Sequence, residues 1–344
     1  MKRVDVLQRT VLIQDEYSHV SDVLGDSTVN DVIETAIELS KQYISKVKKE
    51  NPLTYVYPRK QGVDRENWGF RYLLKRVPRL LVWCQENVAG TLVKTLYTPE
   101  DAVLRDGKGL GAEGTRLLQK LPDAVGVRAR AQFGLMRLSR YARSGEHWLS
   151  APSGNNLPIL MALKTLPNER HPEQVTLIDY SFSDLRTSRD LAETMDLGGV
   201  KQKYLWRNLV DEKGFIKRQR LSKFLAPFML RQLPIRGDHD LEIDSVDRTR
   251  VDGWAMYWTD DALARHIKEH LSLIKPGGEL MFDEMRETHP HLDFTRLVLG
   301  WRPFNTRNLD QLHDKVLSPN ADLIDFVTCF NVSSTERVVV VTKK

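Results

Sequence analysis

The hydrophobic rhythm of the chain changes near residue 147. Before that point apolar residues recur at helical spacing. Val32, Ile33, Ala36, Ile37, Leu39, Ile44 and Val47 predict a helix over 29–49. Leu73, Leu74, Val77, Leu80, Leu81 and Trp83 predict a second over 70–96, broken or kinked at Pro78 because proline lacks an amide hydrogen and clashes with the preceding turn. Residues 97–115 carry Pro99, Gly107, Gly109, Gly111 and Gly114 and read as a long connection. Helical spacing returns over 125–143 with Val127, Ala131, Leu135, Leu138 and Tyr141. Runs with strand character are scarce in this part.

From His147 short apolar runs alternate with helical segments. Strands are expected at 148–151, 174–179, 203–207, 240–246 and 279–282. Helices are expected between them at 156–166, 183–195, 217–232 and 260–273. After a helical stretch at 309–316 come two more strands, 323–330 and 337–342. The short link between those two makes them an antiparallel pair. Alternation of this kind implies a largely parallel sheet with helices on both faces. The expected organisation is an α/β core over 126–344 behind a helical segment over 1–125. There is no internal repeat and no low-complexity tract.

Composition adds little to this picture. The chain has 344 residues, 41% hydrophobic and 28% charged, which fits an ordinary globular protein. Its 51 basic residues nearly balance 46 acidic ones, so the net charge of +5 permits an acidic partner without requiring one. Cys84 and Cys329 alone build neither a disulfide framework nor a cysteine-rich metal site. The first residues lack the apolar core of a signal peptide, and no apolar run reaches the length of a membrane span. A cytoplasmic location is the expectation.

Candidate chemistry enters at Leu271-Ser-Leu-Ile-Lys-Pro-Gly-Gly-Glu-Leu-Met-Phe-Asp283. Pro276 stops a helix, Gly277 and Gly278 permit a reversal, and a strand follows. At this place in a chain the pattern resembles the helix-to-fifth-strand turn of class I S-adenosylmethionine-dependent methyltransferases. The resemblance covers about residues 126–344 and is to divergent members whose helical extension precedes the core. It implies a Rossmann-like, seven-stranded, mostly parallel sheet ending in a C-terminal antiparallel hairpin, preceded by a helical cap over the ligand edge.

The resemblance also implies site residues. Leu149-Ser-Ala-Pro-Ser-Gly-Asn-Asn156 is similar to the family's glycine-rich turn after the first strand, with Gly154 at the central glycine. Ser150, Ala151, Pro152, Ser153 and Gly154 would then line the cofactor. Ser150 replaces the usual acid and Asn156 the last glycine, a position asparagine can fill because it tolerates left-handed backbone angles. Asp179 ends the second strand, where a carboxylate can accept both hydroxyls of a ribose. Its other reading is as a cap for the helix near Ser183. Tyr180 would pack on adenine or ribose. Asn208 would meet the adenine amine, with Leu209 beside it. Asp244, Ser245 and Val246 would end the fourth strand and face the methionine end of the cofactor. The loop beyond, with Trp254, Tyr257 and Trp258, would form part of a substrate lid.

Other patterns weigh against other functions. His266-Ile-Lys-Glu-His270 fits an inverted zinc-protease motif, but no helix with a third ligand follows, and a solvated helix face is the expected reading. His289 and His291, past the fifth strand, are candidates for a general base, with a plain polar loop as the alternative. The basic groups Lys213, Lys217, Arg218, Arg220 and Arg71, Lys75, Arg76, Arg79 read as solvated helix faces. No Asn-Pro-Pro-Tyr or Asp-Pro-Pro-Tyr follows the fourth strand, which argues against a nucleic-acid methylating enzyme. The expected activity is methyl transfer from S-adenosylmethionine to a small or medium organic acceptor, with no membrane partner and no metal. The alternatives are a degenerate methyltransferase fold serving as a binding or scaffold module, and a nicotinamide-dependent oxidoreductase, which should show a Gly-x-Gly-x-x-Gly absent here.

Overall fold

The computed structural model describes residues 6–10, 27–50, 64–86, 102, 104, 106–154, 156–195, 197, 199–207, 209, 241–301 and 304–344. The expected helix at 217–232, Asn208 and the Lys213–Arg220 cluster lie outside them. Among the described residues nine strands form one sheet: β1 (Val6–Thr10), β2 (His147–Ser150), β3 (Gln174–Asp179), β4 (Lys201–Trp206), β5 (Val246–Val251), β6 (Ile274–Arg286), β7 (Thr306–Arg307), β8 (Ile324–Asn331) and β9 (Glu336–Lys343). The order is β1-β8-β9-β6-β5-β2-β3-β4, with β7 against the end of β6. β9 runs antiparallel to β6 and β8, and the other pairs are parallel. Setting aside β1 and β7, the strands form the expected seven, with the expected terminal hairpin. β1 was not expected in a segment read as strand-poor. Its partner is β8, near the other end of the chain, and a pairing that distant leaves little local signal.

Among the described residues the helices are α1 (Ser27–Glu50), α2 (Trp68–Arg76), α3 (Pro78–Glu86), α4 (Gly111–Lys120), α5 (Pro122–Tyr141), α6 (Leu157–Thr165), α7 (Phe182–Thr194), α8 (Asp260–Leu273) and α9 (Leu292–Leu297), with a shorter α-helical turn at Leu309–Gln311 that continues as a π-helix over Leu312–Leu317, where a helical stretch was expected. Pro78 splits the expected long helix into α2 and α3. α8 has the expected bounds because Thr259 caps its start, accepting from the Ala262 N–H, while Pro276 prevents its continuation. No described helix is long and apolar enough to cross a membrane.

Two packing units matter for the site. Helices α1 to α4 share one apolar core with Phe294, Val298 and Leu299, so the helical segment sits on α9, beyond the carboxyl end of β6. α5 bridges this core, which includes its Ala124 and Val127, and the sheet. Arg130 of α5 donates to Asp283 at 2.7 Å and to Glu336 at 3.3 Å, and Arg137 pairs with Glu279. Glycines permit this approach: a Cβ at Gly126 would lie 2.3 Å from Thr335 Oγ1 and one at Gly134 would lie 2.4 Å from Arg250 Nη2. The expected boundary between 125 and 126 therefore falls inside α5.

The fourth alternating strand requires a correction. It was expected at 240–246, but β5 only begins at Val246. Val-Asp-Arg-Thr-Arg-Val has little hydrophobic signature. Its arginines are neutralised instead: Arg248 by Glu146 at 3.0 Å and Glu279 at 2.6 Å, Arg250 by Asp252 at 2.9 Å.

Candidate active site

The carboxyl ends of β2, β3, β5 and β6 lie side by side and carry the candidate residues. The turn after β2 is pinned to both neighbours. The Ala151 N–H donates to Arg250 O at 3.0 Å, and the Ser153 N–H donates to Ile178 O at 2.9 Å. Gly154 has φ 51 and Asn156 φ 53, both left-handed. The asparagine therefore does adopt the backbone angle that the missing glycine would supply, and α6 starts immediately after it.

Asp179 is the last residue of β3 and only 1% exposed. Its Oδ2 accepts from the Gly154 N–H and its Oδ1 from the Ser181 N–H, each at 2.8 Å. Burial raises its pKa to about 6, against the lowering effect of those backbone donors. A carboxylate has about four acceptor sites, more than these backbone donors fill. Asp179 is not the cap of α7. Ser181 takes that place, its hydroxyl accepting from the Asp184 N–H.

The turn also holds polar groups without partners. Ser150 Oγ and Asn156 Nδ2 are buried with no hydrogen bond among the described residues. An unpaired buried polar group costs about 1–3 kcal/mol, so such a pair suits a site completed by a ligand or water. With the spare acceptor sites of Asp179, the donor set fits a nucleoside that carries a polar tail. Ala151 and Leu209 belong to the apolar cluster of Leu149, Ile178 and Leu205 behind the turn.

Tyr180 follows Asp179 and is 43% exposed. Its ring meets Trp254 edge-on at 5.2 Å, and Trp254 continues to Tyr257 at 5.9 Å. Trp301 Nε1 donates to the Tyr257 hydroxyl at 2.6 Å. An aromatic row thus runs from the end of β3 across the loop after β5. Trp258, expected in the same lid, is buried, its ring tilted against His266 at 4.1 Å.

Asp244, Ser245 and Val246 do not belong to this edge. The Asp244 and Ser245 N–H groups donate to Ser272 O and Leu273 O, and Val246 opens β5. All three lie at the amino end of the strand, opposite the turn, because β5 starts where the expected strand ended. The residues that do follow β5 at the carboxyl edge are Asp252 and Gly253, which the sequence reading passed over. Gly253 donates its N–H to Asp283 at 2.6 Å.

The histidines also differ from expectation. His266 and His270 are not on a solvated face. They are buried beneath the turn, their Nε2 atoms 3.3 and 3.0 Å from Ala151 O and 3.1 Å from each other, with His270 Nδ1 2.6 Å from Thr249 Oγ1. Burial lowers the pKa of His266 to about 4 and that of His270 well below the usual value. A signal was available: positions 263, 266, 267, 270 and 271 form one helical stripe with Leu263, Ile267 and Leu271. Among the described residues no group of three or more histidine, cysteine or acidic side chains is placed to hold a metal.

His289 is buried with both nitrogens engaged. Nε2 donates to Asp123 Oδ1 at 2.7 Å, and Nδ1 accepts the His291 N–H at 3.1 Å. Thr295 donates to the other Asp123 oxygen at 2.6 Å. This arrangement ties α5 to α9. His291 differs: its Nδ1 has no partner among the described residues, and burial lowers its pKa.

A comparison with protein-family models gives no match, and neither does a comparison with curated proteins. Solved structures do match. A possible exported protein from Bordetella parapertussis aligns over 96% of this chain and 99% of its own, with 16% identity and a TM-score of 0.58. A geranyl diphosphate methyltransferase in complex with S-adenosylmethionine aligns over 68% of this chain and 91% of its own, with 12% identity and a TM-score of 0.44. The N-methyltransferase NodS from Bradyrhizobium japonicum WM9, in complex with S-adenosylhomocysteine, aligns over 73% and 98%, with 11% identity and a TM-score of 0.40. By its strand order and antiparallel last strand, the chain has the Rossmann-like fold seen in class I methyltransferases, and at these identities the likeness is one of fold.

Proposed function

We propose that the protein transfers a methyl group from S-adenosylmethionine to a small or medium organic acceptor. The observation that carries this reading is the junction of Gly154 with Asp179 at the carboxyl edge of a sheet with this strand order. Asp179 would accept from the ribose hydroxyls, Tyr180 would cover the adenine or ribose, and the turn from Ser150 to Gly154 would line the remainder. When bound, the cofactor supplies an electrophilic methyl group. The work left to the chain is alignment and exclusion of water. His291, whose neutral form burial favours, is the candidate to take a proton from an acceptor that must lose one. His289 would hold α9 in place for it. Helices α1 to α4, seated on α9, would cover the acceptor as a cap, while β1 and α5 belong with the core.

The test is transfer of a labelled methyl group from the cofactor to a panel of small hydroxyl, amine and carboxylate acceptors. Transfer to any of them, abolished by Asp179→Ala, supports the reading. The substitutions Ser150 and Asn156 favour a second reading, a fold retained for binding alone. Cofactor binding without transfer to any acceptor would favour that second reading. Binding of NAD in place of S-adenosylmethionine would contradict both.

A further inference from the structure

The loop after β5 is clamped rather than hinged as a lid would be. The Gly253 N–H donates to Asp283 Oδ1 at 2.6 Å, and the Met256 carbonyl accepts from the Asn305 N–H at 2.7 Å. Buried Arg307 donates to Ala255 O at 3.2 Å and to Trp258 O at 2.6 Å. Asn305 Nδ2 donates to the same Trp258 carbonyl at 2.8 Å. Trp254 and Tyr257 therefore stand on a fixed turn. Tyr180 is anchored as well, since Trp206 Nε1 donates to its carbonyl. Trp254 meets Tyr180 and Tyr257 at 85° and 68° between ring planes, edge-on rather than stacked. Tyr180 is largely exposed, and Trp254, Tyr257 and Trp301 are half-buried. Rings fixed in this way cannot collapse together to hide their remaining surface from water, so its burial under a ligand is favourable. The row starts beside Asp179. It ends at Trp301, which shares an apolar cluster with Tyr257 and with Leu292, the residue after His291.

We infer that this row is a preformed wall for the methyl acceptor, and that the acceptor is a planar aromatic compound. The inference rests on the methyl-transfer reading and deepens it by naming the substrate class. One end of the row lies at the acid proposed for the ribose, the other at the proposed base. A flat molecule laid along it spans the distance between the two. Ring contact also discriminates. An aromatic compound and an aliphatic one of the same size bury similar apolar area, but only the aromatic ring gains the offset or edge-on attraction of another ring. A wall held by backbone hydrogen bonds loses little further freedom when the ligand binds.

Calorimetric titration of the full chain, saturated with S-adenosylhomocysteine, tests it with two probes. These are 2-naphthol and decahydro-2-naphthol, its saturated counterpart with the same hydroxyl. The expected result is binding of 2-naphthol about tenfold tighter, the margin of a well-made ring pair. Trp254→Leu should weaken 2-naphthol by about the same factor and leave decahydro-2-naphthol nearly unchanged. Trp254→Phe, which keeps a ring, should recover most of the loss. The comparison of the two probes on the natural chain decides the matter even if a Trp254 variant does not fold. Equal affinities for the two probes, no binding of either, or a Trp254→Leu loss shared by both would overturn the inference and leave the cofactor reading standing. A folded chain that binds no S-adenosylhomocysteine would overturn the methyl-transfer reading and the inference with it.

Discussion

Gly154 and Asp179 are joined by one hydrogen bond, 2.8 Å from backbone nitrogen to carboxylate oxygen, across 25 residues of sequence. The left-handed turn after β2 is thereby fixed to the end of β3. The second carboxylate oxygen fixes the entry to α7 through the Ser181 N–H. One buried acid organises three segments of the candidate site, and this gives it a structural role beside the proposed binding role.

Asp179→Ala should therefore have two effects. It strands two backbone N–H groups and should lower the stability of the free protein by about 1–3 kcal/mol. Cofactor affinity should fall by about tenfold or more with the loss of a charged acceptor. Thermal melts and titrations of the same variant separate the two. Unchanged binding in a destabilised protein would leave only the structural role.

The pH dependence of binding follows from the same residue. Its pKa in the folded protein is raised to about 6, above the ordinary carboxylate value, mainly by burial. Such a group favours the folded state most below its unfolded pKa, and that contribution is lost as pH rises through 6. Ligand affinity has the opposite sign, because the ionised form is the better acceptor. Affinity should be level above about pH 6 and fall toward tenfold per unit well below it. Titrations between pH 5 and 8 check this, and Asp179→Asn should show no such step.

The histidine pair beneath the turn predicts an acid limit to stability. Burial holds His266 neutral with a pKa near 4, well below its unfolded value. The unfolded chain then binds protons that the folded chain refuses, so stability is full above about pH 6.5 and falls as pH drops toward 4. Melting temperatures over that range should fall steeply in the natural protein. The fall should be shallower in the double variant His266→Gln, His270→Asn. An equal slope in both would place the acid sensitivity elsewhere.

Removal of the helical segment tests the cap. A chain starting at Leu121 keeps the whole of α5, including Asp123, which accepts from His289 and Thr295. It should fold by circular dichroism and retain cofactor affinity. It also uncovers Phe294, Val298 and Leu299, so aggregation must be checked. Acceptor turnover should be lost, because remote contacts align the reacting atoms. Turnover equal to that of the full chain would exclude a cap role for α1 to α4.

The parts of this fold that could be read from sequence are those with local causes. α8 was bounded correctly because a threonine cap, an apolar stripe and Pro276 all act within its own residues. Asp179 was placed at the end of β3 because an apolar run stops there. β5 was displaced by six residues because its run is rich in charge: Arg248 is held by Glu146 and Glu279, partners distant in sequence, and buried Arg250 pairs with Asp252. The same displacement moved Asp244, Ser245 and Val246 to the wrong edge and hid Asp252. His266 and His270 were assigned to solvent because histidine is ambivalent. Their burial depends on the Ala151 carbonyl, which reaches them from β2.

Calorimetric titration of the purified full chain with S-adenosylhomocysteine, with NAD as control, tests the central claim most directly. The account predicts saturable binding with a dissociation constant at or below about 100 µM, near −5.5 kcal/mol, and none for NAD. A folded sample that gives no heat with S-adenosylhomocysteine, or that binds NAD instead, would contradict it.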